Sequence, residues 1–270
     1  MKNSTIQWYP GHIAKAERQI SQNLERVDLI IEVRDARIPL ATSHPCLKKW
    51  HQKKKHLLVI NRKDMITPAA IKEWDNHLRM GGDIPWWCDA KSGTGVHQLR
   101  QAAIRAGKEL NSRRTSRGMK HRAVRALTLG FPNVGKSALI NRLVKKKVVS
   151  SSRKAGVTRA LRWVRLGEEL DLLDAPGVLP PRLDDQIAAL KLAICDDIGQ
   201  ASYDIEGVAI FFIKLIQQLK TNNSTGLKPR LLEKRYGVSI YDTSIDPNEW
   251  LKLVAKEHTS GNTRRMAQRL

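Results

Sequence analysis

The sequence predicts an α/β fold, a mostly parallel sheet flanked by helices, followed by a small all-α C-terminal domain. The first observation is that short apolar runs alternate with helical patterns from about residue 12 to residue 175. The second is a glycine-rich turn that directly follows one of these apolar runs. The third is that strand signals fade after Pro181, where helical patterns take over. We therefore expect one domain over residues 1–181 and a second over residues 182–270.

Each element of the first domain is predicted from its own local pattern. Residues 27–33 (VDLIIEV) and 56–60 (HLLVI) are apolar runs of the length expected for buried strands. Residues 14–26 and 68–79 show the spacing of amphipathic helices. Residues 111–125 are basic and poor in large apolar side chains, which favours a surface connection. Further strands are expected at 84–88, 126–129, 161–166 and 170–173, and further helices at 45–52, 96–110, 187–194, 208–219, 227–236 and 246–256.

Composition narrows the class of protein. The chain has 270 residues and a formal net charge of +22, which favours an anionic partner. Aromatic residues make up only 5%, so phosphate contacts by Lys and Arg suit this chain better than base stacking. The three cysteines form no C-x-x-C pair and indicate neither a disulfide framework nor a zinc site. The longest apolar stretch, residues 208–219, is too short to span a bilayer. We expect a cytoplasmic monomer without a membrane segment.

The glycine-rich turn carries the strongest chemical signal. Residues 130–137 (GFPNVGKS) fit G-x-x-x-x-G-K-S/T, the phosphate-binding loop of nucleotide-binding proteins. Its backbone N–H groups are expected to face phosphate oxygens, with the N-terminus of the following helix beside them. Lys136 is expected to reach the β- and γ-phosphates, and the Ser137 hydroxyl to hold Mg²⁺.

A second motif concerns the base. Residues 61–64 (NRKD) follow the strand 56–60 directly and resemble N-K-x-D, in which the carboxylate accepts two hydrogen bonds from guanine. Asp64 would therefore select GTP over ATP. Arg62 replaces the usual lysine, and its stem can still lie along the base. Residues 89–91 (DAK) resemble, less specifically, the S-A-K loop that packs against guanine.

The order of the motifs is informative. Residues 174–177 (DAPG) resemble D-x-x-G, with Asp174 binding Mg²⁺ through water and the Gly177 amide sensing the γ-phosphate. Thr158, which lies between the two phosphate motifs, resembles the switch threonine that completes Mg²⁺ coordination. In a regular GTPase the guanine motifs come last, whereas here they come first. The sequence therefore predicts a circularly permuted P-loop GTPase domain.

These motifs in this order resemble the RbgA/YlqF family of circularly permuted GTPases of large-subunit ribosome assembly. The resemblance includes residues 8–16 (WYPGHIAKA) and 35–39 (DARIP), and extends more loosely to residues 232–237 (LEKRYG). It implies a GTPase that binds the immature large (50S) subunit and whose turnover the ribosome stimulates. It also implies a helical C-terminal domain that contacts rRNA.

The group that positions the attacking water is left open by the motifs. Many GTPases have Gln directly after D-x-x-G, but here the residue is Val178. The family resemblance gives this role to His12; the alternative is that His12 only caps or packs the N-terminal segment. Asn133 resembles a potassium ligand of related GTPases, and the alternative is an asparagine that shapes the loop. K⁺ is therefore a second candidate cation beside Mg²⁺.

The sequence thus predicts a GTP-hydrolysing factor of large-subunit assembly that binds rRNA and is released after hydrolysis. Two alternatives stay open: a nucleotide-sensing RNA-binding protein with negligible turnover, and, less favoured because of Asp64, a P-loop ATPase. Basic side chains near the switch segment, among them Arg153, Lys154 and Arg159, are candidate RNA contacts. The candidate catalytic residues are His12 and Lys136. The candidate GTP-binding residues are Asn61, Arg62, Lys63, Asp64, Asp89, Ala90, Lys91, Asn133, Val134, Gly135, Lys136, Ser137, Ala138, Thr158 and Gly177. The candidate metal ligands are Ser137, Thr158 and Asp174 for Mg²⁺, and Asn133 for K⁺.

Overall fold

The computed structural model describes residues 6, 10–47, 50, 54–149, 161–180, 184–221, 229–240 and 242–270. For residues 10–16, 201, 220, 221 and 229–231 it describes the backbone alone. The chain divides into two compact units, one over Trp8–Arg182 and one that includes Leu183–Leu270. Ile6 belongs to the second unit, where its N–H donates to Gln186 Oε1 at 3.1 Å.

A six-stranded sheet forms the centre of the first unit. Its strands are β1 (Leu29–Asp35), β2 (Lys55–Asn61), β3 (Pro85–Trp87), β4 (Val124–Gly130), β5 (Arg162–Leu166) and β6 (Leu170–Asp174). The order is β3-β2-β1-β4-β6-β5, and only the pairing of β5 with β6 is antiparallel. Every residue of β1 is buried, as expected for a central parallel strand covered on both faces. The predicted mostly parallel sheet is confirmed.

The described part of the first unit contains α-helices around the sheet, and one of them begins at a clear capping signal. They are α1 (Pro10–Asn23), α2 (Pro68–Met80), α3 (Val96–Thr115) and α4 (Lys136–Val144). At α2, the Thr67 hydroxyl accepts from the Ala70 N–H at 3.2 Å and Pro68 takes the first position, as is common at helix starts. The predicted helix at 45–52 lies partly outside the described residues.

Helix α3 is longer than predicted. It continues through Thr115, so the prediction of a connection is wrong for residues 111–115, and β4 already begins at Val124. The reason is the buried side chain of Asn111, whose amide donates to the Arg122 carbonyl at 2.9 Å and accepts from its N–H at 3.2 Å. A polar residue thus holds a helix end against the chain that follows, a role that composition does not reveal.

The second unit is built from helices in its described part. They are α5 (Gln186–Ile194), α6 (Ile205–Thr221), α7 (Pro229–Tyr236), α8 (Pro247–His258) and the short α9 (Thr263–Ala267), which was not predicted. Their core contains Ile213, Trp250, Val254 and Met266, each fully buried. Among the described residues, no helix combines the length and apolar character needed to cross a bilayer.

Candidate nucleotide-binding site

The predicted motifs meet at one edge of the sheet. Asn61 at the end of β2 pairs with Asp35 at the end of β1. Gly130 at the end of β4 pairs with Val33, and Asp174 at the end of β6 pairs with Thr128. The carboxyl ends of parallel strands are where open α/β sheets bind ligands. Motifs more than 100 residues apart in the sequence therefore belong to one site.

The phosphate loop closes onto the guanine motif. Gly135 has a φ of +92°, and a Cβ there would lie 2.3 Å from Asn61 Nδ2. Only glycine lets the two loops approach this closely in this conformation. Lys136 is buried, and its Nζ donates to the carbonyl oxygens of Gly130 and Phe131 at 2.9 and 2.6 Å. Because α4 begins at Lys136, its N-terminal N–H groups lie at the same loop.

Asn61 joins three segments of the site. Its side chain is buried, with a relative exposure of 1% for the residue. Nδ2 donates to the Val134 carbonyl in the phosphate loop at 2.9 Å. Oδ1 accepts from the N–H of Ala90 in the D-A-K loop at 3.1 Å. One amide thus holds both loops against the end of β2.

Arg62 strengthens the same connection. Its backbone is left-handed, with φ +63° and ψ +34°, and its Nη2 donates to the Asn133 carbonyl. Its Nη1 lies 3.5 Å from the Asp35 carboxylate, which also accepts two hydrogen bonds from the Arg37 guanidinium. The Arg62 guanidinium, which stands where the N-K-x-D motif has lysine, therefore contacts the phosphate loop. Asp35 and Arg37 belong to residues 35–39, which the sequence analysis used for the family resemblance without giving them a role in the site. An acidic residue directly after a buried strand is a usable signal for such a role.

The D-A-K loop is held in shape by its own aspartate. The Asp89 carboxylate accepts from the N–H groups of Lys91 and Ser92 at 2.7 and 3.1 Å. Burial opposes ionisation, but the hydrogen bonds from Ser92 and Lys91 outweigh it, and the pKa of Asp89 lies below its ordinary value. Beside this loop, the Lys63 N–H donates to the Cys88 carbonyl at 3.2 Å, and the Asp64 side chain is exposed. The Asp64 carboxylate is thus accessible at the surface, whereas the Asp89 carboxylate is already hydrogen-bonded to N–H groups of its own loop.

The D-x-x-G segment packs against the phosphate loop. A Cβ on Gly177 would lie 2.7 Å from Pro132 Cα, so this contact requires glycine. The Val178 N–H donates to the Gly130 carbonyl at 3.1 Å, while its side chain is buried in the apolar core. Val178 is therefore a packing residue.

Asp174, in the D-x-x-G segment, is a buried acid. It is 1% exposed, and within the described part of the chain neither of its carboxylate oxygens has a hydrogen-bond partner. Burial raises its pKa to about 6, against the opposing charges of Lys136 and Arg162. Buried polar atoms are nearly always paired, so this carboxylate fits a cation or its bound water.

The comparisons with known proteins decide the family. Ribosome biogenesis GTPase A of Bacillus pumilus is 35% identical over 235 residues, which cover 87% of this chain and 80% of that protein. Its counterpart from Bacillus cereus is 35% identical over 234 residues, covering 87% of this chain and 76% of that protein. The chain belongs to the ribosome biogenesis GTPase A family. Membership identifies it as a GTPase of ribosome biogenesis.

Two further comparisons agree with the permuted order of motifs. The family described as "50S ribosome-binding GTPase" matches residues 125–225, a range that begins at β4 and leaves the N-R-K-D and D-A-K motifs outside. The GNP-bound YlqF crystal structure from T. maritima matches with a TM-score of 0.56 and 21% identity, covering 94% of each chain. This likeness supports the fold, a circularly permuted G domain followed by helices.

Of the three predicted Mg²⁺ ligands, Ser137 and Asp174 have side chains that the structure describes. Both offer oxygen, the ligand type Mg²⁺ prefers. The described residues contain no group of three His, Cys, Asp or Glu side chains that could hold a metal on their own. A Mg²⁺ ion here would therefore depend on phosphate oxygens of the nucleotide, as is usual for this ion.

Several predicted residues lie wholly or partly outside what the structure describes, among them the candidate RNA contacts Arg153, Lys154 and Arg159. Thr158 is among the residues not described, and for His12 only the backbone is described, in the first turn of α1. A residue that motif reasoning missed is His44, which lies against the phosphate loop with its ring centroid 6.2 Å from that of Phe131 and 4.7 Å from that of Trp50. Burial lowers the pKa of His44 to about 4, so it is neutral near pH 7. A single histidine in a polar stretch gives no sequence signal for this position.

Proposed function

We propose that this GTPase binds the assembling large ribosomal subunit through rRNA, hydrolyses GTP there, and is released afterwards. The observation that carries the nucleotide part is the buried Asn61 amide, which connects the phosphate loop to the D-A-K loop. A sequence that matched the P-loop pattern by coincidence would not be expected to be hydrogen-bonded in this way to a guanine-reading motif. Exposed Asp64 beside them supplies the carboxylate that distinguishes guanine from adenine.

The basic surface supports RNA as the partner. At the end of α3 and in the chain that follows, Arg113, Arg117, Lys120 and Arg125 are all exposed. In the second unit Arg264, Arg265 and Arg269 are also exposed. With a net charge of +22, these side chains suit phosphate contacts that strengthen as salt is lowered. The proposed place of action is the cytoplasm, and the proposed state is a monomer.

The proposed water-positioning residue is His12. Support comes from the family resemblance of residues 8–16 and from Val178, whose side chain lies in the apolar core. A neutral imidazole can accept a hydrogen bond from water near pH 7. Lys136 and the phosphate-loop N–H groups would stabilise the charge that develops on the phosphates.

Mg²⁺ is the proposed metal, held by Ser137, by Asp174 through water, and by Thr158. Bound with the nucleotide, it neutralises phosphate charge. K⁺ at Asn133 is a separate proposal. Asn133 has a φ of +59°, a conformation that asparagine tolerates better than most residues, so the loop alone gives a reason for this residue. Turnover in K⁺ compared with Na⁺ separates the two explanations, because only a K⁺ ligand predicts faster hydrolysis in K⁺.

Co-sedimentation with purified large subunits tests the partner. With a non-hydrolysable GTP analogue, we expect binding that weakens with salt and is lost with GDP. Replacing Arg113, Arg117 and Lys120 by Ala should make the slope of log K against log salt shallower by about 2. The matched control replaces Lys55, Arg79 and Lys252, which already pair with carboxylates at 2.9, 2.6 and 3.0 Å and should matter less. The proposal would be contradicted if both triple variants lost subunit affinity equally, or if subunit binding were the same with GDP as with the GTP analogue.

The alternatives predict different outcomes. A nucleotide-sensing RNA binder with negligible turnover would sediment with subunits in the same nucleotide-dependent way, but the subunits would not accelerate hydrolysis. If the chain is an ATPase, ATP should displace bound nucleotide as well as GTP does. Neutralising Arg153, Lys154 and Arg159 should reduce subunit-stimulated turnover more than basal turnover, if RNA contacts order the switch segment.

A further inference from the structure

The guanine loop has a second support besides Asn61, and it comes from the phosphate-loop helix. Arg142 lies in the last turn of α4. Its Nε donates to the Ala90 carbonyl at 3.1 Å, and its Nη2 donates to the Lys91 carbonyl. One guanidinium thus holds two successive carbonyl groups of the D-A-K loop.

The two supports act on opposite sides of the same loop residue. The Ala90 N–H donates to Asn61 Oδ1, and the Ala90 carbonyl accepts from Arg142. Ala90 itself is buried, with a relative exposure of 8%. Fixing both the N–H and the carbonyl of one residue fixes the orientation of its peptide groups. The base-facing edge of this loop is therefore set by β2 on one side and by α4 on the other.

We propose that Arg142 is a positioning residue for guanine recognition, which holds the D-A-K loop where it accepts guanine and disfavours adenine. The proposal rests on the proposed nucleotide site and adds a residue to it. The Ala90, Lys91 and Ser92 N–H groups are already donated to Asn61 and Asp89, so the loop acts through its shape beside the Asp64 segment, which it joins through the Cys88 carbonyl. A loop held there keeps the base where Asp64 can accept from the two N–H donors of guanine, a pair that adenine does not offer. A loop that can move loses this selection, because an orientation that is not fixed tolerates both bases.

The choice of arginine follows from its shape. The guanidinium is planar, and its fork of donors can reach two carbonyl groups at once. Lysine has one ammonium group at the end of a flexible stem and can hold only one of these carbonyls in a defined geometry. Arg142→Lys should therefore keep the charge but recover the selectivity only in part.

Asn141 provides a neighbouring comparison on the same helix. Its amide accepts from the N–H groups of Val148 and Val149, both at 2.9 Å, and donates to the Val149 carbonyl at 2.8 Å. These bonds hold the chain that leads away from α4, not the D-A-K loop. Asn141→Ala therefore perturbs the same helix turn without touching the guanine loop.

The test measures the equilibrium affinities of the full chain for GDP and ADP in the presence of Mg²⁺. Arg142→Ala should weaken GDP binding about tenfold, as expected for loss of charge-assisted hydrogen bonds, and leave ADP binding nearly unchanged. The GDP affinity of Arg142→Lys should lie between those of the wild type and Arg142→Ala. Asn141→Ala, and Arg105→Ala as a control for the lost charge, should keep the GDP-to-ADP ratio of the wild type. Thermal unfolding of each variant separates loss of selectivity from loss of folding.

The outcomes are distinguishable. If the wild type prefers GDP and Arg142→Ala keeps the same GDP-to-ADP ratio, the role of Arg142 is wrong while the nucleotide site stands. An equal weakening of both nucleotides also overturns the role, because it places the effect on the phosphates or on the fold. If the wild type itself does not prefer GDP, the proposed guanine site fails and the inference fails with it.

Discussion

Replacing Asn61 is the sharpest test of how the site is assembled. Asn61→Ala removes the acceptor of the Ala90 N–H at 3.1 Å and the donor to the Val134 carbonyl at 2.9 Å. Leaving a buried polar group without a partner costs about 1–3 kcal/mol, so two such groups cost roughly 3 kcal/mol together. Unlike a loss elsewhere in the fold, this one frees the two loops that must be in place for nucleotide, so we expect binding to bear the cost of ordering them. At 1.4 kcal/mol per factor of ten, about 3 kcal/mol corresponds to about 100-fold weaker nucleotide binding.

An isosteric change separates polarity from volume. Asn61→Asp keeps the size and the acceptor for Ala90, but it places a second oxygen 2.9 Å from the Val134 carbonyl oxygen. We therefore expect a loss at least as large as for Asn61→Ala. The assay is titration with a fluorescent GDP analogue, accompanied by thermal unfolding with and without GDP.

Asn111→Ala is the matched control. It also removes a buried amide with two hydrogen bonds, but at the end of α3, away from the phosphate and guanine loops. It should lower the melting temperature and leave GDP affinity unchanged. Two results would contradict this role of Asn61: GDP affinity of both Asn61 variants within threefold of the wild type, or an equal weakening of GDP binding by Asn111→Ala.

Three other predictions concern separate parts of the first unit. Gly177→Ala puts a Cβ 2.7 Å from Pro132 Cα, so we expect roughly tenfold weaker binding of a GTP analogue, with GDP less affected, in a competition titration. Asp64→Asn should weaken GTP about 100-fold and favour xanthosine triphosphate, whose C2 oxygen accepts from the new amide; unchanged base preference would speak against the assignment. The pKa of His44 is lowered to about 4 by burial, so its contribution to stability is present above about pH 6.5 and is lost as the pH falls toward 4. That contribution is about 3 kcal/mol, and His44→Asn, which cannot titrate, should flatten the pH dependence of urea unfolding over this range; an unchanged slope would contradict it.

The sequence predicted those parts of the fold and site that depend on local pattern. Strand β1 could be predicted because residues 27–33 (VDLIIEV) form an apolar run of strand length, and the structure buries every residue of β1. The phosphate loop is visible because its chemistry requires glycines, lysine and serine at fixed spacing. The permuted order of motifs then followed from their positions alone, and it is confirmed by the family and the fold.

The parts that were missed depend on contacts between distant segments. The hydrogen bonds of Arg142 to the D-A-K loop span about 50 residues, and nothing in either local sequence predicts them. Asn111 extends α3 for the same reason, because its partner is the main chain of Arg122. Asp89 was predicted as a nucleotide contact, yet its carboxylate holds the loop's own N–H groups. Its direct contact with nucleotide stays a prediction.

Ribosome-triggered hydrolysis is tested by GTP turnover with and without purified large ribosomal subunits, in potassium buffer with Mg²⁺. Wild type and His12→Ala are compared at saturating GTP. We expect subunits to accelerate the wild type strongly and His12→Ala little, while both proteins bind GTP equally. If subunits accelerate neither protein although GTP still binds, ribosome-triggered hydrolysis is wrong, and the chain acts as a nucleotide-sensing RNA binder or on another partner.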